Sequence, residues 1–134
     1  MDNLKKYMTF AVDFDGTCVK HKFPAVGESI GAENVLRRLV AAGHRLILNT
    51  VRSDQYLQPA VDWFKQHNLP LYGVNENPDQ KQWSETPSPK VYCHHYIDDL
   101  ALGAPLVHVE NELPYIDWEA MENLLDQVGA FKYA

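Results

Sequence analysis

Short apolar runs that stop abruptly at polar clusters constrain this chain more than any other feature. Met8 to Val12 reads Met-Thr-Phe-Ala-Val and breaks at Asp13-Phe14-Asp15-Gly16-Thr17. Arg45 to Asn49 holds the continuous run Leu46-Ile47-Leu48 and leads into Asn49-Thr50-Val51-Arg52. Val91 to Ile97 ends at Asp98-Asp99. Unbroken apolar runs of this length fit strands buried on both faces, as in parallel sheets.

Segments of helical period lie between these runs. One begins at about Gly31, sets Val35, Leu36, Leu39 and Val40 on one face, and stops at Gly43, where a left-handed glycine ends many helices. A second, capped by Ser53, turns Leu57, Ala60, Val61 and Phe64 inward, with Asn68 near its end. Leu69 to Val74 reads as a short third strand. Asn75 to Pro89, with Pro78, Pro87 and Pro89, reads as a loop. Leu106 to Val109 fits a fifth strand, and Asp117 caps a last helix that buries Met121, Leu124, Leu125 and Val128 before Gly129. Alternation of this kind predicts an α/β fold: a three-layer sandwich around a parallel, Rossmann-like sheet with right-handed crossovers.

At 134 residues the chain fits one domain, 1–134, and no repeat or linker divides it. Hydrophobic residues at 46% and charged ones at 22% give a globular composition, not a disordered one. The net charge of −6 provides no basic field to gather nucleic acid or an anionic membrane, so neither is an expected partner. Met1-Asp2-Asn3-Leu4-Lys5-Lys6 is not followed by a signal-length apolar run, and no run approaches a membrane span. The expected compartment is the cytoplasm, in keeping with two cysteines, Cys18 and Cys93, that imply no disulfide framework.

Ligands of open parallel sheets bind beyond the carboxyl ends of the strands. Asp13, Asp15, Thr50, Arg52, Asp98 and Asp99 should therefore converge, although they are far apart in sequence. Carboxylates gathered so closely repel unless a cation sits among them, and hard oxygen ligands favour magnesium, which shares its shell with substrate phosphate. A carboxylate beside a metal-bound phosphate can attack phosphorus and form an aspartyl-phosphate. The protein then mainly positions the group and neutralises its charge. Thr50 can donate to a phosphoryl oxygen, while Lys90 reaches the same end of the sheet only by folding back across the site.

These residues resemble the motifs of the haloacid dehalogenase superfamily. Asp13-Phe14-Asp15-Gly16-Thr17 after an apolar strand is similar to its first motif, Thr50 after Leu46-Ile47-Leu48-Asn49 to its second, and Asp98-Asp99 after Tyr96-Ile97 to its fourth. Lys90, in Ser88-Pro89-Lys90-Val91-Tyr92, resembles the third-motif lysine of some small members, with Lys81 as a rival. The resemblance runs from Val12 to about Gly103 and looks closest to short bacterial hydrolases, including Val19-Lys20-His21-Lys22-Phe23-Pro24. It implies a magnesium-dependent phosphomonoesterase with Asp13 as nucleophile and metal ligand. Asp15 would be general acid, then base, and would bind metal through its carbonyl. Asp98 would ligate magnesium, with Asp99 a ligand or an orienter of bound water. Thr50 and Lys90 would hold the phosphoryl group, with Arg52 a further candidate for contact with substrate. The acid at Asp15 distinguishes phosphatases from the dehalogenases of the superfamily.

Neither the interval from Asp13 to Thr50 nor that from Thr50 to Asp98 has room for a folded cap once its helix, strand and loop are counted. The site is expected to be open, and water exclusion falls to the Cys18–Ile30 flap, a second subunit of a homo-oligomer, or the substrate. A small phosphorylated molecule or a phosphorylated polymer end both fit such a site. Two other functions compete. A signalling receiver also phosphorylates an aspartate beside magnesium, but its acceptor lies on the third strand, where Leu69 to Val74 has no acid. An inactive metal- or phosphate-binding module would keep the cluster without turnover. The six histidines show no zinc spacing, Cys18 reads as a packing residue, and Trp63, Trp83 and Trp118 read as core or loop anchors.

Overall fold

The computed structural model describes residues 6–132. Four parallel strands form the main sheet in the order β3-β2-β1-β4: β1 (Thr9–Val12), β2 (Arg45–Leu48), β3 (Gly73–Val74) and β4 (His95–Ile97). Helix α1 (Ala32–Ala41) joins β1 to β2, and α2 (Leu57–Gln66) joins β2 to β3. Strands β5 (Leu106–Val107) and β6 (Tyr115–Ile116) pair antiparallel in a separate ribbon, and α3 (Trp118–Gln127) closes the order. The fold is α/β with no separate cap among the described residues.

Strand side chains alternate between two cores, as a two-residue period requires. Phe10, Val12, Leu46 and Leu48 pack with Leu36 and Leu39 of α1, Trp63 and Phe64 of α2, and Met121 and Leu125 of α3. Ala11 and Ile47 face the other way and meet Val91, Tyr72 and Cys93. This second face is covered by the 75–93 segment rather than by a long helix, so the third layer is largely irregular. Within it a 3₁₀ turn, Pro78–Gln82, is capped by Asn77, whose side chain accepts from the Asp79 N–H.

Several element boundaries differ from expectation for local reasons. Strand β4 is short because Gln80 captures the backbone ahead of it: its Nε2 donates to the Lys90 carbonyl at 3.1 Å, and its Oε1 accepts from the Tyr92 N–H at 3.0 Å. The fifth strand does not extend the main sheet, because β5 takes β6 as its partner. Ser53 makes no side-chain cap; a 3₁₀ turn, Asp54–Tyr56, precedes α2 instead. Asp117 does cap α3, accepting from the N–H groups of Glu119 and Ala120. Leu124 and Val128, expected inside, are 42% and 43% exposed. Gly43 has φ +93°, the left-handed conformation expected after α1. No helix among the described residues is long and apolar enough to cross a membrane.

Candidate functional site

Register decides which strand ends meet. Strand β1 lies at the centre of the sheet, with Val12 opposite Leu48 of β2 and Ile97 of β4. The Asp13 N–H donates to the Ile97 carbonyl at 2.9 Å, carrying the ladder one residue further. Asp13 and Asp98 therefore leave adjacent strands side by side. Asp13, Asp98 and Asp99 each offer a carboxylate oxygen, and these oxygens lie within 4.8 Å of one another. This triad could hold a metal ion.

The loop after β1 is braced from three sides. The Thr17 hydroxyl lies 2.8 Å from Asp13 Oδ2 and 3.3 Å from Asp99 Oδ1, and it accepts from the Asp99 N–H at 3.0 Å. Trp118 Nε1 donates to the Thr17 carbonyl at 2.7 Å, and the Ile116 N–H to the Gly16 carbonyl at 2.9 Å. The ribbon and α3 thus fix the loop that carries Asp13. His21, on the flap, reaches back so that its Nε2 lies 2.8 Å from Asp99 Oδ2.

Electrostatics in the triad favour a bound cation. Burial, then the charge of Asp98, raises the Asp13 carboxyl to about 8 from its usual 3.8, against the opposing hydrogen bond from Thr17. Burial also holds Asp98 above the usual carboxylate range, with the charge of Asp99 adding to it. No ion pair to a lysine or arginine relieves the three carboxylates among the described residues. A hard divalent ion would satisfy this oxygen donor set.

The remaining sequence candidates are placed differently. Asp15 is not one of the three carboxylates that gather. Its carboxylate meets Arg52 in a bidentate pair, with Arg52 Nε to Oδ2 and Nη2 to Oδ1 both at 2.8 Å. Arg52 is only 2% exposed, so its guanidinium does not present itself to a ligand as an open surface contact. The Thr50 N–H donates to Asn75 Oδ1 at 2.7 Å, and its Oγ1 accepts from the Arg52 N–H at 3.1 Å. The hydroxyl proton of Thr50 is left without a partner among the described residues.

Lys90 forms no ion pair among the described residues. It is exposed and lies ahead of β4. Lys81 pairs with Glu76 at 3.3 Å. Cys18 is buried, with its Sγ 3.3 Å from the Asp13 carbonyl, and burial pushes its thiol well above the ordinary range. Trp63 and Trp118 are core residues, while Trp83 is 60% exposed.

Sequence reasoning gave no role to Thr17 and little to His21, and it read Trp118 only as a core or loop anchor, which it is. Thr17 stood inside the first motif, so its position was the available signal. The Trp118 contact, which spans 101 residues of sequence, had none.

Gly16 supplies a test of how tightly the site is built. Its φ is +81°, and a Cβ there would sit 2.1 Å from His21 Nε2 and 2.3 Å from Asp99 Oδ2. Gly16→Ala should therefore displace Asp99 and weaken divalent-cation binding by roughly 10-fold or more, the scale of lost support for a ligand. Calorimetric titration with magnesium or manganese measures this, and wild-type affinity in the variant would contradict it.

No protein-family model and no curated protein matches the chain. It is similar to a solved structure, that of a conserved protein coded by a locus from Bacteroides thetaiotaomicron, at 33% sequence identity. The match covers 96% of this chain and 99% of that one, with a TM-score of 0.73.

Proposed function

The chain belongs to the same family as the conserved protein from Bacteroides thetaiotaomicron, and from its site we propose that it is a magnesium-dependent phosphomonoesterase of the haloacid dehalogenase type. One observation carries the proposal: three carboxylates from two neighbouring strand ends converge, with no lysine or arginine paired to them among the described residues. A divalent ion and a phosphate dianion together supply the charges that such a cluster needs.

Asp13, Asp98 and Asp99 would hold magnesium, which when bound neutralises charge on the phosphoryl oxygens. Asp13, held by Thr17, attacks phosphorus. The bond from phosphorus to the leaving oxygen breaks, its electron pair stays on that oxygen, and Asp15 supplies the proton. Water then attacks the aspartyl-phosphate and passes a proton to Asp15. The bond from phosphorus to Asp13 breaks, its electrons return to the carboxylate, and inorganic phosphate leaves. Thr50 donates its free hydroxyl proton to a phosphoryl oxygen, and Lys90 joins it only by turning its side chain across the site.

Purified protein should release nitrophenolate from an aryl phosphate with magnesium and stop when the metal is chelated. Beryllium fluoride, a mimic of the aspartyl-phosphate, should bind Asp13 only in the presence of magnesium, as read by fluorine NMR. Equal turnover by wild type and Asp13→Asn, or the absence of both turnover and adduct, would overturn the proposal.

A further inference from the structure

The guanidinium of Arg52 is fully committed inside the protein. An arginine side chain carries five N–H donors, and each has a contact here. Nε and Nη2 grip the two oxygens of Asp15, Nη2 also donates to the Ala25 carbonyl at 2.8 Å, and Nη1 donates to the Tyr56 carbonyl at 2.9 Å and to the Pro24 carbonyl at 3.3 Å. The side chain is 0% exposed, and its guanidinium carbon lies 5.1 Å from the ring centroids of both Phe14 and Phe23. A buried cation is expensive unless all its donors are met, and here they are met by three separate segments. These are the Asp15 loop, the flap at Pro24–Ala25, and the turn at Tyr56 ahead of α2.

A merely structural clamp could hold the flap by its carbonyls alone. Arg52 does more, because the planar fork fixes the plane of the Asp15 carboxylate. Asp15 is partly open, at 15% side-chain exposure, while the Arg52 that grips it is closed off from solvent. The plane of the Asp15 carboxylate is thus held by Arg52, whose donors also hold the flap carbonyls of Pro24 and Ala25.

We propose that Arg52 is a positioning residue: it orients Asp15 for proton transfer and makes that orientation depend on the flap, instead of binding the phosphorylated substrate. This inference rests on the phosphatase reading, in which Asp15 protonates the leaving oxygen and later receives the proton of the attacking water.

Its consequences depend on the step. Nitrophenolate departs without a proton, so an enzyme with a misoriented Asp15 still forms the aspartyl-phosphate from nitrophenyl phosphate but hydrolyses it slowly. Arg52→Ala should then release a burst of about one nitrophenolate per site, followed by turnover slowed roughly 100-fold, within the usual range for lost acid–base assistance. With an alkyl phosphate, whose leaving oxygen needs a proton, the burst should be missing and the loss at least as large. Asp15→Asn should show the same pattern. Magnesium affinity should stay within about 3-fold of wild type, because Arg52 touches none of the triad. Added guanidinium should restore part of the slow step in Arg52→Ala, and Arg52→Lys should lie between, since an ammonium cannot span both oxygens.

The outcomes separate cleanly. No turnover and no aspartyl-phosphate in wild type would remove the phosphatase reading itself. Turnover in wild type, with Arg52→Ala equally fast and without a burst, would overturn the role given to Arg52 alone. Loss of magnesium binding and of the burst together, in a folded variant, would also overturn it by making Arg52 a support for the whole site. Should Arg52→Ala fail to fold, Arg52→Lys carries the same comparison.

Discussion

Asp13→Asn is expected to abolish turnover, by on the order of 10⁴-fold or more, and at the same time to stabilise the metal-free protein. The first effect follows from removal of the nucleophile, since the residual groups can orient substrate but not form the covalent intermediate. The second follows from the unfavourable place that Asp13 occupies. Burial and the charge of Asp98 raise its carboxyl to about 8, so at neutral pH its ionisation works against the fold. An amide keeps the oxygen that accepts from Thr17 but carries no charge. Relief of about 1–2 kcal/mol would raise Tm by roughly 3–10 °C in a domain of this size. Excess magnesium should reverse the ranking, because only the wild type gains the full stabilisation of ligand binding. Thermal melts of both proteins with magnesium and with chelator check this. If the metal-free variant melts below the wild type, Asp13 is not the strained group described here. Sites built for chemistry commonly give up stability in this way.

The triad was legible in the sequence because its logic is one-dimensional. An apolar run that ends at an acid places that acid at a strand terminus, and adjacent parallel strands bring their termini together. Asp13 and Asp98 needed only the pairing of Val12 with Ile97 to meet. The covering of the sheet was less legible. Val91 to His94 is apolar enough to pass for strand, yet Gln80 and Asn77 take the backbone hydrogen bonds of Tyr92, and Val91 packs over Ala11 and Ile47. A side chain that substitutes for a ladder leaves no periodic trace. The two-residue strands β3 and β5 lie inside runs that read as strands, whereas β6 is too short for alternation to announce it.

The surroundings of the basic residues were illegible for a related reason. Arginine is ordinarily exposed, so composition and position favour a surface role for Arg52. Its burial depends on Asp15, Pro24, Ala25 and Tyr56 arriving together from three segments, which is a property of the tertiary structure. Lys90 shows the converse. A lysine ahead of an acidic strand looks suited to neutralise the acids, but Lys90 is exposed and makes no ion pair with Asp13, Asp98 or Asp99 among the described residues. Among the described residues no lysine pairs with the triad, so in the proposed reaction the neutralising charge falls to the divalent ion.

Magnesium affinity should tighten by about 100-fold between pH 6 and pH 9, then level off. Below about 8 the metal-free site holds a proton on Asp13, and the metal has to displace it. Each unit of rising pH then removes about one power of ten of that competition until Asp13 is ionised in the free protein. Asp98, also held above the ordinary range by burial, pushes the dependence in the same direction. Stability of the metal-free protein runs the other way. The folded-state value of Asp13 lies above its unfolded value of 3.8, so the folded chain binds more protons between those limits. Its contribution to stability is therefore greatest below pH 3.8 and is lost as pH rises towards about 8. Acidification should release the metal while relieving the repulsion that the metal had screened. Calorimetric titrations at pH 6, 7, 8 and 9, repeated in buffers of different ionisation enthalpy, count the proton released on binding. A flat affinity across that range, with no proton released, would mean that Asp13 does not enter the metal site.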